Sequence, residues 1–221
     1  MSNISSFWKN KKVLITAGPT REPIDPVRFI SNYSSGKMGF AIADACRRLG
    51  AEVTVVHGPV VVSPKENYKT ISVQTAAEMF SATAACFSGS EIVIFAAAVA
   101  DYTPKHPAAQ KIKKSESEFS IELMKTKDIA FELGKQKQQQ FLVGFALETE
   151  NEQQNALLKL KKKNLDMIVL NSLQDAGAGF QYDTNKIAII DKNGERTDFP
   201  LRLKDEVARD ILTFIEQKCQ R

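Results

Sequence analysis

The chain has 221 residues, is 43% hydrophobic and 25% charged, and carries a formal net charge of +4. Those values suit an ordinary globular domain burying roughly 70% of its unfolded surface, and they exclude collagen-like, coiled-coil and disordered classes. Three scattered cysteines, two histidines and no C-x-x-C pair argue against a zinc site or a disulfide framework and suit a reducing cytoplasm.

In chain order, Met1 to Lys12 lacks the apolar core of a signal peptide, and residues 1–11 are expected to be a flexible segment before a single domain spanning 1–221. Val13-Leu14-Ile15 reads as a short buried strand entering the turn Thr16-Ala17-Gly18-Pro19. An irregular stretch through Pro23 and Pro26 to Ser35 follows. Met38, Ala41, Ile42, Ala45, Cys46 and Leu49 then recur at helical spacing, with Gly50 in the C-cap position. Val53 to Val56 is the next strand, and Thr75 with Glu78 makes a capping box for a helix over Ala76 to Phe87. Ile92 to Ala97 is a third apolar strand; the uninterrupted apolar run through Ala100 is too short to span a bilayer.

Beyond a basic loop, the alternation of Phe119, Ile121 and Leu123 predicts a strand exposed on one face. Ile129 to Lys135 is predicted helical, Phe141 to Phe145 a strand, Glu152 to Lys163 a helix and Met167 to Leu170 a strand. A glycine-containing loop runs from Asn171 to Asn185. Lys186–Asp191 and Glu195–Phe199 read as a hairpin around Lys192-Asn193-Gly194, and Val207, Ile211, Phe214 and Ile215 mark a final amphipathic helix. Short apolar strands alternating with helices predict an α/β fold, a Rossmann-like and mostly parallel sheet with helices on both faces and a C-terminal β-hairpin. Ligands of such sheets sit beyond the carboxyl ends of the strands, so the loops after Ile15, Ala97, Phe145 and Leu170 are the ones to inspect.

Five segments carry candidate chemistry. Ser34-Ser35-Gly36-Lys37-Met38-Gly39 opens the first helix and offers hydroxyls and free N–H groups to an anion, or is only a tight turn packed on a strand. It is not a P-loop, because Ser31 and Met38 stand where that motif needs glycine and a hydroxyl residue. Ala96-Ala97-Ala98-Val99-Ala100-Asp101-Tyr102 leaves a buried strand; its small residues admit a flat base to the backbone, and Asp101 suits a ribose hydroxyl or Mg²⁺, unless it merely caps a helix. In Lys111-Ile112-Lys113-Lys114, Lys111 and Lys113 share a side if the chain is extended and suit a triphosphate, or they form a solvated basic loop. Lys159 and Lys163 lie one helical turn apart and, with Phe145, suit a stacked base and its phosphates, or form a polar helix surface. Asn32 suits donation to a carboxylate or an acyl intermediate, or is a turn-forming residue. No aromatic residues interleave the lysines, which weighs against nucleic acid.

Together these segments resemble one family. The run from Ile15-Thr16-Ala17-Gly18-Pro19-Thr20-Arg21-Glu22-Pro23-Ile24-Asp25-Pro26-Val27-Arg28 through Ile30-Ser31-Asn32-Tyr33-Ser34-Ser35-Gly36-Lys37-Met38-Gly39 is similar to the signature of phosphopantothenoylcysteine synthetase. So are Ala96 to Tyr102, Lys111 to Lys114, Val143-Gly144-Phe145 with Glu148-Thr149, and Lys163-Asn164-Leu165-Asp166. The Lys-Ile-Lys-Lys element resembles the bacterial, CTP-using form. Many bacteria fuse this activity behind a flavin-dependent decarboxylase, for which this sequence has no room; a stand-alone cytoplasmic ligase without flavin or zinc is therefore expected, with a separate decarboxylase as a possible pathway partner.

The resemblance implies that 4′-phosphopantothenate and CTP form an acyl-cytidylate, which L-cysteine then attacks. It implies Asn32 and Lys111 as catalytic groups. It implies a nucleotide site of Phe95, Ala96, Ala97, Asp101, Lys111, Asp128, Ile129, Ala130, Phe145, Lys159 and Lys163, to which Lys127, a departure from the family pattern, is expected to add a charge. Ser34, Ser35, Gly36, Lys37, Met38 and Gly39 are left for phosphate or substrate, and Asp101 is the candidate Mg²⁺ ligand. It also implies a homodimer, with Phe119–Leu123 and the Lys186–Phe199 hairpin as candidate interface. Thr126-Lys127 stands where the family has Asn-Pro, and Ser172-Leu173 where it has Asp-Val. A nicotinamide-dependent oxidoreductase and a non-catalytic nucleotide-binding module are the competing readings. The first lacks a full G-x-G-x-x-G turn and an acidic residue after Val56-His57.

Overall fold

The computed structural model describes residues 6–113, 119–148, 151–172 and 182–220, so Lys114, Thr149 and Leu173 lie outside it. Up to the β6 exit the elements are β1 (Lys12–Ala17), β2 (Arg21–Pro23), β3 (Phe29–Ser31), α1 (Lys37–Arg48), β4 (Glu52–His57), β5 (Lys69–Ser72), α2 (Ala76–Phe87) and β6 (Ile92–Phe95). They continue as β7 (Tyr102–Pro104), β8 (Leu123–Lys125), α3 (Ile129–Gly134), β9 (Phe141–Glu148), α4 (Glu152–Lys162) and β10 (Met167–Ser172). The chain closes with β11 (Thr184–Asn185), β12 (Ile187–Asp191), β13 (Arg196–Asp198), β14 (Arg202–Leu203) and α5 (Lys204–Cys219).

The central sheet runs β13-β12-β10-β9-β6-β1-β4-β5. Its six strands from β10 to β5 pair in parallel, and the β12–β13 hairpin adds two antiparallel strands at one edge. From β1 the chain winds outward through β4 to β5, then returns to β6 on the other side of β1 and winds outward through β9 to β10. This is the doubly wound order of nucleotide-binding sheets, with its switch point between β1 and β6.

Side chains alternate cleanly across the sheet. Val13, Ile15, Ile92, Ile94, Val143, Met167 and Val169 pack with α1 and α5, whereas Leu14, Val93, Phe95, Leu142, Ile168 and Leu170 pack with α2, α3 and α4. The period of two along each strand sends neighbours to opposite faces, and helices cover both, which is why these strands read as continuous apolar runs. No helix among the described residues is long and apolar enough to cross a membrane.

Several sequence expectations need correction. Residues 6–11 are packed onto the fold: a 3₁₀ turn over Ser6–Trp8 buries Trp8 to 1% exposure in the α1/α5 core, and the Asn10 N–H donates to the Gly50 carbonyl (2.9 Å). The strand expected over Phe119–Leu123 lies instead at Leu123–Lys125, because Leu123, Met124 and Lys125 pair with Pro104, Thr103 and Tyr102. The stretch from Pro19 to Ser35 holds the β2–β3 hairpin, whose three-residue strands are too short to show a period. Edge strand β5 is largely exposed and so lacks an apolar signature. The capping box holds: Thr75 Oγ1 accepts from the Glu78 N–H (3.2 Å), and Glu78 Oε2 accepts from the Thr75 N–H (3.2 Å).

Replacing Trp8 with alanine removes the largest side chain joining the N-terminal segment to the core. Trp8→Ala is expected to lower unfolding free energy by about 3–5 kcal/mol, measured by urea denaturation followed by far-ultraviolet circular dichroism. A change under about 1 kcal/mol would mean that the segment detaches without loss.

Candidate functional site

A cavity of about 750 Å³ opens beyond the carboxyl ends of β1, β6, β9 and β10, at the switch point. Its floor is the β6 exit, Ala96 to Asp101, held against the β1 exit by main-chain and threonine hydrogen bonds. The Ala96 N–H donates to the Thr16 carbonyl (3.1 Å), the Ala97 N–H to Thr16 Oγ1 (3.3 Å), the Ala98 N–H to the Gly18 carbonyl (2.9 Å) and the Ala100 N–H to Thr20 Oγ1 (3.0 Å). Thr16 and Thr20 are both buried, so the Thr16-Ala17-Gly18-Pro19-Thr20 run is a template for the neighbouring loop. Thr126 extends the lacing: its hydroxyl donates to the Ala100 carbonyl (2.6 Å) and its N–H to the Asp101 carbonyl (3.0 Å). The family departure at Thr126 is thereby accommodated in the floor. Lys127, the other departure there, lines the cavity with its ammonium 4.8 Å from the Phe80 ring centroid.

One wall is the start of α1. Gly36, the N-cap residue, takes φ 78°, a conformation costly for residues with a Cβ, and as a glycine it offers no capping side chain of its own; the Ser34 hydroxyl accepts from its N–H (3.3 Å). Gly39 lies against β1 so closely that an added Cβ would come within 2.6 Å of the Ala17 Cβ. The glycines thus press a helix start, whose N–H groups favour anions, onto the cavity beside Ser34, Ser35, Lys37 and Met38. The opposite wall is built from α3 and α4. Asp128 caps α3 through Oδ1 (3.1 Å to the Phe131 N–H) and pairs through Oδ2 with Lys163 (3.0 Å). Ile129 and Ala130 follow it on the lining, and Phe145, Lys159 and Lys163 close that side.

Every site residue expected from the sequence therefore borders this cavity except Lys111. Lys111 is exposed and lies off the lining because its neighbour is tied elsewhere: the Ile112 N–H donates to Asp25 Oδ2 (3.1 Å), and the Ile112 carbonyl accepts from Arg28 Nη2 (2.7 Å). Asn32 reaches the floor, but its amide nitrogen donates to the Ala98 and Val99 carbonyls (3.1 Å each). It fixes the loop in this state, and donation to an acid requires one of those bonds to be exchanged.

The lining also contains residues that the sequence reading passed over: Lys125, Lys162, Asn171, Asn185 and Lys204. For Lys204 a signal was present. It stands in helical register with Val207, Ala208 and Ile211, placing a lysine on the apolar stripe of α5, and it is only 6% exposed. Burial, with Lys37 nearby, pushes the Lys204 ammonium down to about 8, with Asp183 acting in the opposite direction.

Among the described residues the lining carries seven lysines, Lys37, Lys125, Lys127, Lys159, Lys162, Lys163 and Lys204, against two carboxylates, Asp101 and Asp128. Such an excess in a concave, partly apolar site attracts polyanions. No group of three metal-binding side chains occurs among the described residues. Asp101, an exposed carboxylate on the lining, fits a magnesium ion that takes its remaining ligands from phosphates and water rather than from a protein cage.

Comparison with known proteins shows what the chain is similar to. The family model described as the DNA/pantothenate metabolism flavoprotein C-terminal domain matches residues 8–219. A protein named cysteine/cysteine sulfinic acid decarboxylase, from an unknown prokaryotic organism, is 57% identical over 207 residues, covering 93% of this chain and 58% of that protein. The coenzyme A biosynthesis bifunctional protein CoaBC of Bacillus subtilis (strain 168) is 48% identical over 212 residues, covering 96% of this chain and 52% of that one. The chain thus spans about half the length of the curated relatives it matches. The crystal structure of the C-terminal domain of a CoaBC protein superposes with a TM-score of 0.82 at 44% identity, covering 96% of this chain and 98% of that domain.

Asp25 anchors the lysine segment. Burial alone would raise its carboxyl, but the Arg28 guanidinium and the N–H groups of Val27, Ile112 and Arg28 outweigh burial and hold it far below the ordinary carboxylate range. A depressed carboxyl contributes its stabilisation fully above that ordinary range and loses it only as pH falls toward the folded value. Asp25→Asn removes the charge at every pH, and is expected to speed tryptic cleavage after Lys111 about tenfold at neutral pH. Unchanged cleavage would show that the segment is held by other means.

Proposed function

The chain belongs to the DNA/pantothenate metabolism flavoprotein C-terminal domain family, and on that premise we propose that it is the ligase joining 4′-phosphopantothenate to L-cysteine in coenzyme A biosynthesis, with CTP as the energy source. The observation that carries this reading is the lysine excess on the switch-point cavity. The reaction must bring a carboxylate to the α-phosphorus of a triphosphate, two anions that repel, and a lysine-lined, partly desolvated cleft offsets that repulsion. The names of the similar proteins support the pathway; CTP, rather than ATP, rests on the Lys111-Ile112-Lys113 segment and its resemblance to the bacterial form.

The chemistry needs no nucleophilic side chain. A carboxylate oxygen of the acid bonds to the α-phosphorus, the bond from that phosphorus to the bridging oxygen breaks, and pyrophosphate departs with the electron pair. The cysteine amine then bonds to the acyl carbon, cytidine monophosphate leaves, and the new amide sheds a proton. Backbone groups of Phe95, Ala96 and Ala97 with Ile129 and Ala130 receive the base, and Phe145 packs beside it. Lys159 and Lys163 flank the nucleotide, with Asp128 fixing the Lys163 ammonium. The start of α1, from Ser34 to Gly39, takes phosphate oxygens. Asn32, released from one floor carbonyl, donates to the acid or its acyl intermediate. Asp101 holds a ribose hydroxyl or the magnesium ion, which supplies charge neutralisation at the phosphates when bound.

Lys111 approaches the nucleotide in this scheme only if its segment closes over a cavity, in the same subunit or in a neighbour. A homodimer is the proposed assembly, on different evidence from the sequence expectation. Strand β13 of the hairpin is polar, whereas exposed apolar side chains gather on β3, β7, β8 and the turn between β2 and β3: Val27, Phe29, Tyr102, Leu123 and Met124. The patch adjoins the Lys111 anchor at Asp25 and Arg28, so a second copy seated there would bring the two lysine segments together. The oxidoreductase reading gains no support, because β4 ends at His57 and is followed by Gly58, not by a ribose-gripping carboxylate.

Pyrophosphate release is expected only when 4′-phosphopantothenate, CTP and Mg²⁺ are all present, with kcat/KM for CTP exceeding that for ATP by about tenfold or more, a difference of one good base-edge hydrogen bond. Folded protein silent in that assay would eliminate the ligase. Asn32→Asp should lower kcat by roughly 100-fold through loss of a donor and gain of a negative charge beside the acid; wild-type turnover in that variant would remove Asn32 from the site.

A further inference from the structure

We propose that Lys204, with Lys37 and the first turn of α1, forms the subsite for the pyrophosphate end of the nucleotide. The placement of pyrophosphate there rests on the ligase reading, whereas the subsite itself does not. Lys37 and Lys204 are the first residues of α1 and α5, two helices packed on the same face of the sheet, and both border the cavity. Asp183 joins the two helix starts: its carboxylate Oδ1 meets the Lys37 ammonium at 2.6 Å, and its carbonyl accepts from the Lys204 N–H at 2.9 Å. The Lys204 ammonium donates to the Tyr182 carbonyl. The Asp183 carboxylate is 79% exposed, so its oxygen can stand where an incoming phosphate oxygen would replace it, at little loss of burial.

Placing an ammonium in line with Val207, Ala208 and Ile211 incurs a desolvation penalty that an alanine or leucine would avoid. The Tyr182 carbonyl offsets part of that penalty, and an anion arriving from the cavity would offset more of it. The cavity spans the edge of the sheet. Its nucleoside wall, from α3 and α4, belongs to the face opposite α1 and α5. A triphosphate laid from one wall to the other crosses Ala96 to Asp101 at its middle, beside Asn32, and ends between Lys37 and Lys204. Pyrophosphate leaves with several negative charges, more than one helix start neutralises, and Lys111 does not border the cavity.

Calorimetric titration of the full chain with inorganic pyrophosphate, with and without Mg²⁺, and separately with cytidine monophosphate tests this. Lys204→Met should weaken pyrophosphate binding roughly 10- to 100-fold while leaving cytidine monophosphate binding within about twofold, and Lys204→Arg should restore most of the loss. Lys37→Met, at a residue more exposed than Lys204, should weaken pyrophosphate about tenfold and covers the case in which Lys204→Met does not fold. The proposal is overturned if folded Lys204→Met, or Lys37→Met in its absence, binds pyrophosphate like wild type. It is equally overturned if both ligands weaken alike, the mark of a structural role, or if wild type binds no pyrophosphate. Selective loss of pyrophosphate in a protein that releases none from CTP with the acid present would uphold the subsite and remove the ligase reading instead.

Discussion

The hydrogen bonds between the β1 and β6 exits are the constraint on which the site depends. A parallel sheet leaves main-chain groups unpaired at its carboxyl edge, and at a switch point no connecting helix covers them. Here Thr16, Gly18 and Thr20 take up the N–H groups of the loop that leaves β6. Thr126 then bonds to the next carbonyls, which positions the start of α3. Asn32 closes the arrangement from the β3 side through the Ala98 and Val99 carbonyls. A floor assembled from such small residues is open to a flat ligand yet fixed in place.

Onto that floor the fold brings cations from both faces of the sheet. Lys37 and Lys204 come from one side, and Lys159, Lys162 and Lys163 from the other, with Lys125 and Lys127 between. At the rim Lys37 pairs with Asp183 and Lys163 with Asp128, which offsets part of the repulsion among the lysines. These pairs are partly exposed and contribute little to folding. Asp183, the more exposed of the two carboxylates, is a replaceable counter-charge, whereas Asp128 also caps α3 and holds Lys163 in place.

Most of this was legible in the sequence, for identifiable reasons. The sheet was visible because strands covered on both faces are apolar throughout, and α2 because Thr75 and Glu78 signal its start. The cavity residues were legible because glycine at 36 and 39, alanine at 96 and 97 and the Asp128 cap are chemically constrained positions. What escaped was non-local. Three-residue strands such as β2, β3 and β8 take their identity from partners rather than from periodicity. Trp8 was assigned to a loose end because the sequence does not reveal the core that receives it. Lys204 was passed over as one more lysine, although its register with Val207 and Ile211 placed it inside. Lys111 was expected at the phosphates, whereas the backbone bonds of Ile112 to Asp25 and Arg28, distant in sequence, hold that segment away.

Both margins of the central sheet end in short polar strands. On one side β5 shows Lys69 and Thr70 to solvent, and on the other β13 shows Arg196 and Asp198, which bind each other at 2.7 Å. A long, flat apolar margin would present a ladder of unmet donors and acceptors on which another chain could crystallise as an added strand. Brevity and charge deny that template at either end, so the eight-stranded sheet cannot readily grow into a continuous ribbon. Any association between copies is thereby left to side-chain packing rather than to backbone zippering along the sheet.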